Sequence, residues 1–228
     1  NLFFDNYLVM NRAYYFDSIR GFVESDPEKI LGKLVDGSDD STIRSTQSTA
    51  WLEQIKILQP LLLTYEGAIY FEFSIPRMGE RIDVVLLIDT AIFVLEFKVG
   101  EKRYSSYGLD QVCDYALDLK NFHEVSHHQY IAPILIATEA EEEICVPCAT
   151  PQSDKLLLPM KCNAAALPSV IHDVLQFVDG DVIDIPAWEK SRYCPTPTII
   201  EAAIALYRQH SVVDITRNDA KENLTSTT

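Results

Sequence analysis

Two carboxylates and one amine, Asp83, Glu96 and Lys98, stand out in this chain because they interrupt strongly apolar runs. Asp83 lies in RIDVVLLID (81–89), and Glu96 and Lys98 lie in AIFVLEFKV (91–99). Both runs are rich in β-branched and aliphatic residues, which predicts strands. Asp89-Thr90 is the polar break between them, so the simplest connection is a tight antiparallel hairpin. Counting outward from that turn, Ile88 faces Ala91 and Asp83 faces Glu96. The two carboxylates then meet across neighbouring strands with Cβ atoms about 5 Å apart. Lys98, two residues beyond Glu96, shares their face.

Such a pairing is costly unless something uses it. Two like charges at about 5 Å repel by about 3 kcal/mol at an effective dielectric of about 20. The neighbours Val84, Val85, Leu86, Leu87, Val94 and Leu95 predict strands buried on both faces, which raises the cost further. A divalent cation removes the conflict, and hard oxygen donors suit Mg²⁺ or Mn²⁺. The competing reading is a carboxylate pair at a solvated strand end with Lys98 as its salt-bridge partner.

The flanking elements must hold these groups. Residues 14–23 carry apolar positions at helical spacing, and Ser25-Asp26-Pro27-Glu28 starts a helix ending near Leu34. A polar linker spans 38–48. A longer helix, AWLEQIKILQPLLLTY (50–65), follows, with Pro60 as a kink or an early end. AIYFEFSI (68–75) precedes the two strands already described. Residues 108–123 form a helix and IAPILIAT (131–138) a fourth strand. Beyond 138 the signal thins to a short strand near Leu156 and helices near 167–178 and 198–208. The tail 218–228 is polar and reads as disordered or a linker. The order predicts an α/β fold, a mixed central sheet flanked by helices.

The bulk numbers narrow the classes. At 228 residues, one domain with a full core is expected. No apolar run has membrane-spanning length, and the first residues lack a secretory pattern. The net charge of −15 speaks against coating nucleic acid by charge alone; part of it sits in EAEEE (139–143), read as a solvated loop. Five scattered cysteines, an odd number, suit a reducing cytoplasm. Cys145 and Cys148 have zinc-ligand spacing, which Cys162 or Cys194 could complete, but no second such pair follows; ordinary thiols are the simpler reading. His123 and His127 are four apart without the intervening Glu of a zinc helix, so they read as helix-end polar residues.

A helix, three strands bearing D…ExK, a helix and a further strand resembles the core of the PD-(D/E)xK nuclease superfamily, the restriction-endonuclease-like fold (αβββαβ), over roughly residues 49–138. The resemblance implies Asp83 and Glu96 as Mg²⁺ ligands, the backbone carbonyl of Phe97 as a third, and Lys98 as the residue that positions or activates the attacking water. Ile82 stands where the family motif has proline. Gln111-Val-Cys-Asp-Tyr115 resembles the Q-xxx-Y signature of the RecB-like branch. It implies that Gln111 and Tyr115 orient Lys98 or a phosphate; a polar and an aromatic residue on a helix flank is the equal alternative. An upstream helix in that family supplies one more acid, and Glu53 is the candidate.

MNRAYYFDSI (10–19), LEFKVG (95–100), DYALDLKNFH (114–123) and SRYCPTPTIIEAAIALY (191–207) resemble the N-terminal region of bacterial proteins that join such a domain to a Schlafen-like DNA/RNA helicase. The implied layout is an extension or vector remnant at 1–9, a nuclease-like domain at 10–210 and a linker at 211–228 towards a helicase. The expected activity is metal-dependent hydrolysis of phosphodiesters in DNA or RNA, in the cytoplasm, with no membrane partner. Two alternatives stay open: a nuclease-fold binding module without strong cleavage, and a regulatory interaction domain, which the negative charge favours.

Overall fold

A computed structural model describes residues 12–38 and 45–196, with 199, 200, 204 and 206 of the C-terminal segment. The expected extension at 1–9, the linker at 211–228 and the polar tail lie outside the described residues. In chain order the elements are β1 (Tyr15–Ser18), α1 (Ile19–Glu24), α2 (Pro27–Gly37), α3 (Ser45–Leu61), β2 (Gly67–Ile75), β3 (Glu80–Ile88), β4 (Ala91–Lys98), α4 (Ser106–Phe122), β5 (Tyr130–Ala137), β6 (Met160–Cys162), α5 (Leu167–Phe177) and α6 (Ile185–Glu189). Single 3₁₀ turns follow α3 and α4.

The strands form one mixed sheet in the order β1-β2-β3-β4-β5-β6. β1 to β4 run as an antiparallel meander, and β4, β5 and β6 are parallel. A parallel step from β4 to β5 needs a crossover, and α4 supplies it. The protein is therefore a mixed α/β fold with helices on both faces of a six-stranded sheet. Among the described residues no helix is long and apolar enough to cross a membrane.

Two hydrophobic layers sandwich the sheet. One gathers α1, α2, α3 and α5 against Ile69, Val84, Leu86, Phe93 and Leu95. The other packs Val112, Ala116 and Leu119 of α4 against Val85, Leu87, Ile92 and Val94. β4 is consequently buried on both sides, with Lys98 its first partly exposed residue. A charge placed in this strand has no easy route to water.

Residues 14–23 do not form one helix. β1 pairs with β2, Tyr15 opposite Phe71. The helix begins only after Ser18, whose Oγ accepts from the Gly21 N–H at 3.0 Å and so caps α1. α3 starts at Ser45, earlier than its apolar face suggests, and contains Pro60 in its last turn before the 3₁₀ segment Leu62–Thr64. Leu156 makes only an isolated bridge to Ile131, and the sixth strand lies at Met160–Cys162. Of the helix expected near 198–208, the described positions 199, 200, 204 and 206 are helical.

One irregularity concerns the site. In β2, Ile69 and Phe71 belong to the α3 layer, whereas Phe73 and Ile75 belong to the α4 layer. In β3, Val84 belongs to the α3 layer and Ile82 to the α4 layer. Both strands thus change face at one rung, between the pairs Phe71–Val84 and Phe73–Ile82. The residues at that rung are Glu72 and Asp83, and Glu72 has a left-handed φ of 54°. A non-glycine residue there is strained, as at a bulge.

Candidate functional site

The hairpin register agrees with the count from the turn. Ile88 faces Ala91 and Val84 faces Leu95. Asp89 takes a left-handed φ of 50° in the turn, which Asp tolerates. One rung further, where Asp83 comes opposite Glu96, the backbone ladder gives way to a side-chain bond: the Phe97 N–H donates to Asp83 Oδ2 at 2.8 Å. In an extended residue N–H and C=O point the same way. The Phe97 carbonyl is therefore also directed towards β3, on the Asp83 side.

Lys98 joins the two elements of the site. Its Nζ donates to Glu96 Oε1 at 2.8 Å and to Gln111 Oε1 at 3.1 Å. Gln111 Nε2 donates to the Tyr115 hydroxyl at 2.7 Å, and that hydroxyl donates to Glu80 Oε2 at 2.7 Å. A continuous relay runs from Glu96 through Lys98, Gln111 and Tyr115 to Glu80. The helical spacing of four puts Gln111 and Tyr115 on one face of α4, and the Ser105 cap fixes the start of that helix.

Glu96 is 3 % exposed, and its second oxygen, Oε2, is buried with no hydrogen-bond partner. An unmatched carboxylate oxygen in this setting is expensive. The electrostatics show the same tension. Burial, then the charges of Glu96 and Glu72, push the Asp83 carboxyl well above its usual range, against the Phe97 N–H and Lys98. Burial also raises Glu96, with Glu72 and Glu80 adding to it while Lys98 opposes.

Glu72 is the member that sequence reasoning missed. Its Oε1 accepts from Trp51 Nε1 at 2.8 Å, and Arg81 donates to its carbonyl at 2.7 Å. Burial raises its carboxyl, with the indole bond and Arg81 opposing. A lone acid inside AIYFEFSI was the available signal. Glu53, the expected acid of the upstream helix, is exposed. Trp51 and Gln54, three apart on the inward face of α3, are the buried residues, at 1 % and 4 % exposure. α3 therefore reaches the site through Trp51 and not through a carboxylate at Glu53.

Among the described residues, no three His, Cys, Asp or Glu side chains are arranged to hold a metal ion. Cys145 and Cys148 accordingly have no zinc-site companion there, and all five cysteines are free. His123 is fully buried, paired through Nδ1 with Ser126 Oγ and tilted at 47° against the Trp188 ring. Mg²⁺, unlike zinc, needs only one or two carboxylates and keeps several waters. Asp83, the unpartnered Glu96 Oε2 and the Phe97 carbonyl are the hard oxygens on which such an ion would draw.

The site lies where β4 and β5 leave the sheet. Thr138 N donates to the Lys98 carbonyl at 3.2 Å there. Beyond those strand ends lies a polar cleft of about 740 Å³ lined by Lys102, Arg103, Tyr104, Glu139, Glu141, Glu143 and Lys161, and by none of Asp83, Glu96 and Lys98. The C-terminal ends of parallel strands are the usual place for ligands in open α/β sheets. Comparison with protein-family models, with curated proteins and with solved structures returned no match.

Proposed function

We propose that this protein is a metal-dependent phosphodiesterase acting on DNA or RNA, built on a restriction-endonuclease-like core. The observation that carries the reading is the buried, unpartnered Oε2 of Glu96 beside Asp83, with Lys98 tied to the same carboxylate. Asp83, Glu96 and the Phe97 carbonyl would hold Mg²⁺ or Mn²⁺. A cation so held lowers the pKa of water and neutralises charge growing on a phosphate.

The chain's own residues do the positioning. The Phe97 N–H fixes one oxygen of Asp83. Lys98, braced by Glu96 and Gln111, presents a positive charge beside the Glu96 carboxylate, where it can orient a nucleophile or a developing oxyanion. Gln111 and Tyr115 keep Lys98 from swinging away. Coupling to a C-terminal helicase is part of the proposal on the sequence resemblance alone.

A second reading is a nucleic-acid-binding module without strong cleavage, in which Lys98 satisfies the Glu96 carboxylate as a salt bridge at 2.8 Å. One experiment separates the two. Single- and double-stranded DNA and RNA are incubated with the protein in Mg²⁺, in Mn²⁺ and in chelator, and the test is repeated with Asp83→Ala and Lys98→Ala. The proposal expects metal-dependent cleavage that both variants abolish. Cleavage surviving in both variants rejects the site, and binding without cleavage in any metal selects the module.

A further inference from the structure

The cleft beyond the ends of β4 and β5 holds three cations, Lys102, Arg103 and Lys161, and acids of the strongly acidic segment 139–143 line it with them. Glu139 Oε2 stands 3.8 Å from Lys102 Nζ, and Glu143 Oε2 stands 2.7 Å from Lys161 Nζ. The Tyr104 hydroxyl donates to the Glu141 carbonyl at 2.9 Å, and Lys161 also lies over the Tyr104 ring, 5.2 Å from its centre. Each acid therefore sits where a strand of phosphates would have to sit to use the same cations.

These bonds do not explain the segment as a structural brace. All four members of the two ion pairs are substantially solvent-exposed, and pairs of that kind contribute little to stability. The next residues, Ile144 at 98 % exposure and Val146 at 73 %, put apolar side chains into water. The backbone of the segment is anchored, by the Glu139 N–H on the Glu101 carbonyl and by Asn163 Nδ2 on the Ala140 carbonyl, so what exchanges at low cost is the pair of carboxylates of Glu139 and Glu143.

We infer that the cleft is the path of a single nucleic-acid strand, and that the Glu139 and Glu143 carboxylates form an acidic strap occupying the phosphate positions until substrate replaces them. This rests on the phosphodiesterase reading of the Asp83–Glu96–Lys98 site. A single strand is favoured because Tyr104 lines the cleft among the cations and offers an aromatic ring on which an unstacked base can rest. The strap also accounts for a polyanion partner on a chain of net charge −15: the cations that matter are local and already masked.

The test measures binding apart from turnover. Fluorescence anisotropy of the full chain with single-stranded DNA, single-stranded RNA and duplex DNA is followed in chelator across a salt series. Glu139→Gln/Glu143→Gln, which unmasks Lys102 and Lys161, should tighten single-strand binding by about threefold or more at low salt. Glu28→Gln/Asp36→Asn changes net charge equally on a distant surface and should do much less. Lys102→Ala/Lys161→Ala should weaken binding and reduce the slope of log affinity against log salt by about 1.4, the share of two phosphate contacts on a single strand.

An unmasked variant that binds no tighter than the distant control, a lysine variant with unchanged slope, or preference for duplex overturns the inference. Turnover of bis(p-nitrophenyl) phosphate, too small to reach the cleft cations, reports on the Asp83–Glu96 site separately. Loss of that turnover in the parent protein sinks the phosphodiesterase reading, while the anisotropy arms still decide the strap.

Discussion

Trp51 Nε1 donates to Glu72 Oε1 across 2.8 Å, tying the first turns of α3 to the irregular rung of the sheet. The indole is 1 % exposed, so no water can replace its N–H. Trp51→Phe keeps much of the packing and removes the donor. A loss of about 1–3 kcal/mol is expected, the cost of leaving a buried acceptor unmatched. Urea unfolding of the single variants and of Trp51→Phe/Glu72→Gln checks it: the second substitution should recover part of the loss.

The acidic rung sets a pH dependence with a definite sign. Asp83, Glu96 and Glu72 all have raised carboxyls in the folded protein. A raised carboxylate makes the folded state bind protons more readily than the unfolded chain. Its stabilising share is present at low pH and is lost as pH rises from about 4, the unfolded carboxylate range. In chelator, Asp83→Asn should therefore gain stability over the parent as pH climbs from 4 towards 8, read from denaturant midpoints. A constant difference across that range refutes the assignment.

Divalent cation should reverse this penalty. At a hundred times its dissociation constant a ligand adds about 2.7 kcal/mol. Mg²⁺ or Mn²⁺ is expected to raise the melting temperature of the parent and of Glu53→Ala alike, and to leave Asp83→Ala and Glu96→Ala unmoved. A metal-induced shift surviving in both carboxylate variants places the cation elsewhere.

Gln111 contacts Lys98 and Tyr115 but not Asp83 or Glu96, so its effect is one of aim. Gln111→Leu should cut turnover by about tenfold to a hundredfold through a misplaced ammonium. The metal-induced melting shift should persist. Measuring both on one preparation separates orientation from ligation.

His123 gives the opposite acid behaviour. Burial lowers its imidazole from 6.5 to about 3, with Arg12 and His127 contributing. A depressed histidine contributes stability that is complete above 6.5 and lost as pH falls from there towards 3. His123→Gln should flatten that acid limb of the stability curve while lowering its plateau, and an unchanged limb would show that His123 charges without strain.

Some of this was legible before the structure. The turn at Asp89-Thr90 is two residues long, so it fixes the register of everything beyond it, and Asp83 opposite Glu96 follows. Gln111 and Tyr115 were legible because helical spacing is rigid. Glu72 was not: it falls opposite Asp83 through the β2–β3 register, which the longer connection at 76–79 does not fix from sequence, and a regular strand would send it to the α4 layer with Ala68 and Tyr70 and not to Trp51. Glu53 failed by a single helix position, since neighbouring residues on a helix point about 100° apart and the inward one is Gln54. β1 was hidden because four residues of strand run directly into a capped helix.

The double change of face has its own consequence. Phe71 and Val84 anchor in one hydrophobic layer, Phe73 and Ile82 in the other, so the β2–β3 ribbon threads through the sheet plane like a stitch. Loosening either layer slackens the same thread at the carboxylates. Substitutions deep under α3 thereby acquire a mechanical handle on the spacing of Glu72 and Asp83 that their distance alone would never suggest.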